Sequence, residues 1–131
     1  MKRPEPVQVI KQRRDAALQS LTDGVPFVRF MGIGFDRRGD ELTAILPFRD
    51  ALIGNPLLPA LHGGATAGFL ETAAIVELAW AMLWEDMERG AGAEFSLGET
   101  RPRLPKTIDF TVDYLRAGLP RDAYARARVR S

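Results

Sequence analysis

The sequence predicts an α+β domain in which a curved antiparallel sheet encloses one long apolar helix. Three stretches of the 131-residue chain lead to this prediction. Residues 64–87 are good helix formers with very few charges. Residues 27–35 and 41–48 are typical of two strands joined by a turn. Residues 107–116 alternate between apolar and polar side chains, which is the pattern of a half-buried strand.

The chain begins with a predicted amphipathic helix. After Pro6, apolar residues recur at roughly helical spacing with basic residues among them, as far as the turn signal at Asp23 and Gly24. We therefore divide the chain into an N-terminal amphipathic helix at residues 1–26 and a main domain at residues 27–131. The basic residues are more typical of a solvated face than of a phosphate site, so we assign them no site.

A hairpin follows. The strand at residues 27–35 is aromatic and β-branched, and the turn before the second strand contains Gly39. Gly32 and Gly34 inside the first strand predict a bend or the close approach of another backbone. Residues 49–60 contain two prolines and no clear period, so we interpret them as a loop that leads to the helix.

The central helix is apolar nearly all round, because only Glu71 and Glu77 carry charge between Ala65 and Trp84. Such a helix is either buried in a core or spans a membrane. Two glutamates are costly in a bilayer, which favours the buried helix. Both glutamates have apolar neighbours one turn away, so each carboxylate is either desolvated or lines a pocket.

The turn before the helix favours Glu71 over Glu77 as the reactive acid, because His62, Gly63 and Gly64 are nearer to Glu71. The first N–H groups of a helix have no intrahelical partner and carry partial positive charge. Gly63 and Gly64 are therefore candidate donors to a developing oxyanion.

Each of these residues also has a structural interpretation. A glutamate in a buried helix is often paired with an arginine, and a lone histidine such as His62 is more often a satisfied turn residue than a catalyst. Asn55 lies before a proline and is more typical of a turn than of a substrate contact.

The C-terminal part combines one long connection with two predicted strands. Residues 85–106 are polar and rich in glycine and proline, which is typical of a lid over a ligand site or of a disordered excursion. Residues 107–116 form the clearest strand, and residues 123–130 form a second one. Three arginines on the polar face of the second strand are more typical of a solvated face than of a phosphate site.

Composition excludes several kinds of site. The chain has no cysteine and one histidine, so disulfides, thiolate sites and the common zinc ligand sets are excluded. We predict no metal and no cofactor. The net charge of +1 does not indicate a nucleic-acid partner. The N-terminus lacks a signal-peptide core, and the prolines and glycines of residues 51–70 do not suit a membrane span, so we expect a cytoplasmic protein without a membrane partner.

Two segments carry a resemblance to a known family. LHGGATAGFLETAA at residues 61–74 has an acid nine residues after the histidine, and TIDFTVDYLRAG follows at residues 107–118. Together they resemble the hotdog-fold acyl-CoA thioesterases, the group that includes the phenylacetic-acid-pathway and 4-hydroxybenzoyl-CoA enzymes. The resemblance extends from about residue 27 to residue 131. It implies a hotdog fold, an antiparallel sheet wrapped around a long central helix, and hydrolysis of an acyl-CoA or related acyl thioester to free acid and thiol.

The resemblance also implies roles for individual residues. Glu71 matches the catalytic carboxylate, a general base on water or a nucleophile at the thioester carbonyl. Thr107 falls where related enzymes have a hydroxyl residue that holds the attacking water. Gly63 matches the residue whose backbone N–H polarises the carbonyl, and His62 matches the motif histidine that positions the loop and substrate.

Two further positions are assigned at the same loop. Gly64 is expected to bind substrate next to the Gly63 donor. Asn55 resembles the family's loop asparagine, although the segment at residues 57–60 is one residue longer than usual. A hotdog sheet usually continues past the strand that ends near Arg130, so we expect a sheet without its last strands.

The resemblance implies a homodimer or homotetramer in which the helix start of one chain faces the carboxylate of another. Two alternatives remain open. One is a non-catalytic module that binds acyl-CoA or an acyl carrier, or that only oligomerises. The other is a dehydratase of 3-hydroxyacyl thioesters, but His62 in its Gly-Gly loop nine residues before Glu71 fits the thioesterase layout better.

Overall fold

The computed structural model of the protein describes residues 6–88 and 104–130. Its elements are helices and short antiparallel strands that do not alternate regularly, which is typical of an α+β fold. In chain order they are α1 (Val7–Thr22), α2 (Pro26–Met31), β1 (Gly34–Arg38), β2 (Glu41–Leu46), a 3-10 turn (Asp50–Leu52), β3 (Ile53–Asn55), β4 (Ala60–Leu61), α3 (Gly63–Glu88) and β5 (Ala123–Ala125).

The strands form two antiparallel sheets in the described part of the chain. β1, β2 and β5 make the larger sheet in the order β1-β2-β5, and β3 pairs with β4 in the smaller one. The predicted hairpin is confirmed in its turn and its second strand, because β1 pairs with β2 from Gly34 opposite Ile45 to Arg38 opposite Glu41. Gly39 occupies the turn with a φ of 63°, a left-handed conformation that glycine adopts without steric cost.

The long central helix is also confirmed, with α3 beginning one residue before the predicted start and ending one residue after the predicted end. One stripe of α3 is buried at helical spacing, formed by Phe69, Ala73, Val76, Trp80 and Leu83. By length and composition α3 would also be able to cross a membrane. In this structure its buried stripe packs against β2, β5 and α1.

The opposite side of α3 is only partly covered by the residues that the structure describes. Leu70 and Met82 are exposed, and Ala74 is exposed between them. We expected the helix to be enclosed on most sides, but the described sheet covers one side only. Because this exposed side is mainly apolar apart from Glu71, it suits contact with another surface.

The first predicted strand is wrong over most of its length. Residues 26–31 form α2, and the strand begins only at Gly34. Pro26 lies at the first turn of α2, where its missing N–H costs nothing. Gly32 ends the helix with a φ of 71° and donates its N–H to the carbonyls of Arg29 and Val28. The helix signals at the two ends outweigh the aromatic and β-branched content between them.

The clearest predicted strand, residues 107–116, is extended but pairs with no strand in the described ranges. Its side chains Ile108 and Leu115 are 98% and 90% exposed. Alternation shows which face a strand would bury, but a strand forms only where a neighbouring backbone lies beside it.

Two predictions remain, the strand at residues 123–130 and the connection at residues 85–106. The strand predicted at residues 123–130 is shorter than expected, since β5 ends at Ala125. The connection at residues 85–106 begins inside α3, and residues 89–103, where the lid was predicted, lie outside the described residues.

Candidate active site

The start of α3 is fixed by backbone hydrogen bonds to two other segments. The His62 N–H donates to the Leu52 carbonyl at 2.7 Å, and the Leu61 N–H donates to the Gly118 carbonyl at 3.0 Å. The first helical bond runs from Thr66 N–H to the His62 carbonyl at 3.1 Å. The turn that carries the predicted oxyanion donors is therefore held by backbone hydrogen bonds to Leu52, which precedes it in the chain, and to Gly118, which follows it.

The imidazole of His62 caps the helix. Its Nδ1 accepts a hydrogen bond from the Gly64 N–H at 2.8 Å. Nδ1 must be unprotonated to accept, so the neutral ring carries its proton on Nε2. The Gly64 N–H, which we predicted to bind substrate, is thus already engaged. The Gly63 N–H, in contrast, has no acceptor among the residues that the structure describes.

Two glycines make room for His62. A Cβ added at Gly54 would lie 2.6 Å from the His62 Cα, and a Cβ added at Gly64 would lie 2.9 Å from the imidazole ring. Real Cβ atoms do not approach this closely, so both positions require glycine. Sequence analysis missed Gly54 because its only signal is a glycine in a segment without periodicity.

A cavity of about 520 Å³ opens beside this turn. Its lining includes Asn55, His62, Gly63, Tyr114 and Arg116. The Asn55 side-chain oxygen accepts the Leu57 N–H at 3.0 Å, which is the turn that the Asn-Pro sequence predicts. Asn55 therefore shapes the rim of the cavity with its oxygen already engaged.

Glu71 lies half-buried on the exposed side of α3, where Thr107 approaches it from the extended segment. The Thr107 hydroxyl donates a hydrogen bond to the Glu71 carboxylate, with 2.7 Å between Oγ1 and Oε1. Among the described residues, Glu71 forms no ion pair. The structural interpretation of this acid as one half of a buried arginine pair therefore finds no support in this part of the chain.

A second cavity, of about 430 Å³, opens at Glu71 and Thr107. Besides the acid and the hydroxyl, the lining is mainly apolar, with the charged residues Lys106 and Asp109 among members that include Ala74, Ile75, Leu78, Ile108 and Phe110. Ala74, Ile75 and Leu78 follow Glu71 at helical spacing and form one stripe of α3. The arrangement suits a ligand with one polar, reactive end and one apolar end.

The acid and the Gly63 donor do not face a common point within one chain. They are eight residues apart on α3, which is about 12 Å along the helix axis. The two cavities share no lining residue. A carbonyl held by the Gly63 N–H is therefore out of reach of Glu71 of the same chain.

Glu77 differs from Glu71 in its surroundings, although both have apolar neighbours one helical turn away in the sequence. Burial raises the pKa of Glu77 above its ordinary value, and the nearby charge of Asp40 raises it further. Asp40 belongs to the β1–β2 turn, and the Asp40 backbone carbonyl accepts a hydrogen bond from the Trp80 indole N–H at 3.1 Å. Glu77 is therefore a carboxyl at the packing contact between this turn and α3.

No metal site is evident within residues 6–88 and 104–130, where no three histidine or acidic side chains are grouped closely enough to hold an ion. Among the described residues, the groups at the two cavities that can take part in chemistry include Glu71, Thr107, His62 and the backbone amides.

Comparison with known proteins gives the fold a name. No family model matches the sequence, and no curated protein matches it either. A solved structure described as a protein of the thioesterase superfamily superposes with a TM-score of 0.61 at 21% identity, covering 86% of this chain and 71% of that one. A second, from Shewanella oneidensis and described as related to the thioesterase superfamily, superposes with a TM-score of 0.58 at 25% identity, covering 92% and 76%.

These likenesses, together with the long helix against an antiparallel sheet, show that the chain has the hotdog fold found in the thioesterase superfamily. The fold class predicted from the sequence is confirmed. The likenesses do not distinguish the phenylacetic-acid-pathway or 4-hydroxybenzoyl-CoA group within that superfamily.

Proposed function

We propose that the protein hydrolyses an acyl-CoA or a related acyl thioester. The observation that carries this proposal is the Thr107–Glu71 hydrogen bond in the lining of a mainly apolar cavity. A carboxylate that accepts a hydrogen bond from a hydroxyl group at one oxygen keeps lone pairs free to accept a proton from water. The apolar surface beyond it suits the acyl part of a thioester, and both superposed structures are described as thioesterase-superfamily proteins.

The reaction needs a base, a bound water and an oxyanion donor. Water attacks the thioester carbonyl carbon while its proton passes to Glu71. The carbonyl oxygen becomes an oxyanion and accepts the Gly63 N–H. Collapse of this tetrahedral intermediate breaks the carbon–sulfur bond, the thiolate leaves, and the proton held by Glu71 returns to the thiol or to solvent. Thr107 holds the carboxylate and the water in place.

We further propose that each active site combines Glu71 of one subunit with Gly63 of another. The separation of about 12 Å along α3 is too large for both groups to act on one carbonyl from the same chain. The exposed apolar side of α3 and the exposed Ile108 and Leu115 offer surface for a second copy. A homodimer is the smallest assembly that supplies the missing group, and two such dimers give a homotetramer.

The experiment is a thiol-release assay on purified protein with acyl-CoAs of increasing chain length and with an aromatic acyl-CoA. Glu71→Gln keeps the size of the side chain and removes the base, so we expect kcat to fall about 100- to 10,000-fold. Glu77→Gln is the matched control, since it makes the same change on the same helix at another cavity. Equal rates for Glu71→Gln and the parent would exclude Glu71 as the base.

A further inference from the structure

Tyr114 contacts the helix start next to the proposed oxyanion donor. Its hydroxyl donates a hydrogen bond to the Gly63 carbonyl, with 2.6 Å between the two oxygens. The N–H of the same peptide group, that of Gly64, donates to His62 Nδ1 at 2.8 Å. The peptide group between Gly63 and Gly64 is therefore held at both of its polar ends by side chains.

This peptide group needs such support. Two consecutive glycines are the most flexible pair that a chain can place at a turn. The Gly63 N–H belongs to the preceding peptide group, and only the φ and ψ of Gly63 separate the two peptide planes. Fixing the second plane therefore restricts the direction of the Gly63 N–H. An oxyanion donor is effective only when its direction is set before the reaction begins.

We propose that Tyr114 is a positioning residue for the Gly63 N–H. The proposal rests on the proposed thioester hydrolysis, in which that N–H is the oxyanion donor. Tyr114 acts through the Gly63 carbonyl and, with its hydroxyl proton committed there, donates no hydrogen bond to the substrate. His62 accepts the N–H of the same peptide group, so the two side chains act as a pair on one peptide plane.

The roles of the Tyr114 hydroxyl and of its ring can be tested separately. A Cβ added at Gly63 would lie 3.5 Å from the Tyr114 hydroxyl oxygen and 3.6 Å from its ring carbons, which is ordinary packing distance. Tyr114→Phe therefore keeps the ring against the turn and removes only the hydrogen bond. The control is Tyr124→Phe, which makes the same change at an exposed tyrosine on β5.

The first test needs no activity. Amide hydrogen exchange of Gly63 and Gly64 is followed by NMR on ¹⁵N-glycine-labelled parent, Tyr114→Phe and Tyr124→Phe proteins. We expect the Gly64 amide to exchange roughly 3- to 10-fold faster in Tyr114→Phe, because a net hydrogen bond of this kind corresponds to about that ratio. Tyr124→Phe should match the parent. Unchanged exchange in Tyr114→Phe would overturn the proposal.

The second test is kinetic. In the thiol-release assay, Tyr114→Phe should lower kcat by roughly 3- to 10-fold and leave KM within about twofold, since the lost order matters in the transition state. Parent-like kcat in Tyr114→Phe would overturn the positioning role. A parent protein without activity toward any acyl-CoA would instead reject the proposed function, and with it the catalytic purpose given to Tyr114. The exchange data would still show whether Tyr114 holds the peptide group.

Discussion

The hydroxyl of Thr107 donates a hydrogen bond to the carboxylate of Glu71 across 2.7 Å, joining the extended segment to α3. The two residues are 36 positions apart in the chain. This contact gives the Glu71 carboxylate a defined orientation in the lining of the apolar cavity.

Thr107→Val tests this contact. Valine keeps the branched shape and removes the hydroxyl, so the Glu71 carboxylate loses its donor and the attacking water loses one of its ligands. We expect kcat to fall about 10-fold or more, because hydrogen bonds to charged groups contribute roughly 1.5–3 kcal/mol. The control is Thr111→Val, an exposed threonine of the same segment that does not line this cavity. A parent-like kcat for Thr107→Val would remove the hydroxyl from the mechanism.

Gly54→Ala tests the fit of His62 between its two glycines. The new Cβ would lie 2.6 Å from the His62 Cα, which is backbone and moves only with the turn. We expect a loss of about 1–3 kcal/mol in the free energy of unfolding, measured by chemical denaturation. Gly34→Ala is the control, because a Cβ added there meets nothing within 4 Å. Equal free energies of unfolding for the two variants would show that the turn shifts to accept the added Cβ without loss of stability, which would contradict this prediction.

Glu77→Gln tests the raised pKa of that carboxyl. Because the folded state raises the pKa above its ordinary value of 4.5, the unfolded state is the more ionised one between the two values. The parent therefore loses stability as pH rises from about 4.5 through the raised pKa. Glutamine does not ionise, so the variant should be more stable than the parent at neutral pH. This advantage should shrink as the pH falls through the raised pKa and be lost below about 4.5.

Thermal unfolding at a series of pH values measures this difference. Asp40→Asn removes the second cause of the shift and should give part of the same gain at neutral pH. Asp113→Asn, an exposed carboxyl on the extended segment, is the control. A constant difference between Glu77→Gln and the parent at all pH values would contradict the assignment.

Local sequence signals predicted the long helix, and also the turn and second strand of the hairpin. α3 differs from its predicted span by one residue at each end, because its composition and the Gly-Gly start are local signals. The β1–β2 hairpin is likewise set by its turn. The apolar content of residues 27–31 predicts a strand, but these residues form a helix because Pro26 and Gly32 are helix start and stop signals.

The parts of the site that local patterns missed depend on distant contacts. Glu71 and Glu77 have similar neighbours in sequence, and only the fold brings Thr107 to the first and Asp40 to the second. Tyr114 looked like one more apolar residue of an alternating strand, and nothing local indicates that its hydroxyl reaches Gly63. These contacts join residues that are far apart in the chain and are set by tertiary packing, so a short segment of sequence does not predict them.

The central claim, that the base and the oxyanion donor come from different subunits, has a direct test in subunit mixing. Glu71→Gln removes the base, and Gly63→Pro removes the donor N–H at the first helical position, where proline is tolerated. Gly63→Ala, which keeps the N–H, is the control for the second variant. Each of the two inactivating variants should have little activity alone.

When the two variants are unfolded and refolded together, half of the dimers should contain one chain of each kind, and each mixed dimer has one complete site. The thiol-release assay should then return about one quarter of the parent activity. Activity that stays at the level of the separate variants, with mixed dimers shown to be present by mass spectrometry, would contradict a site shared between subunits.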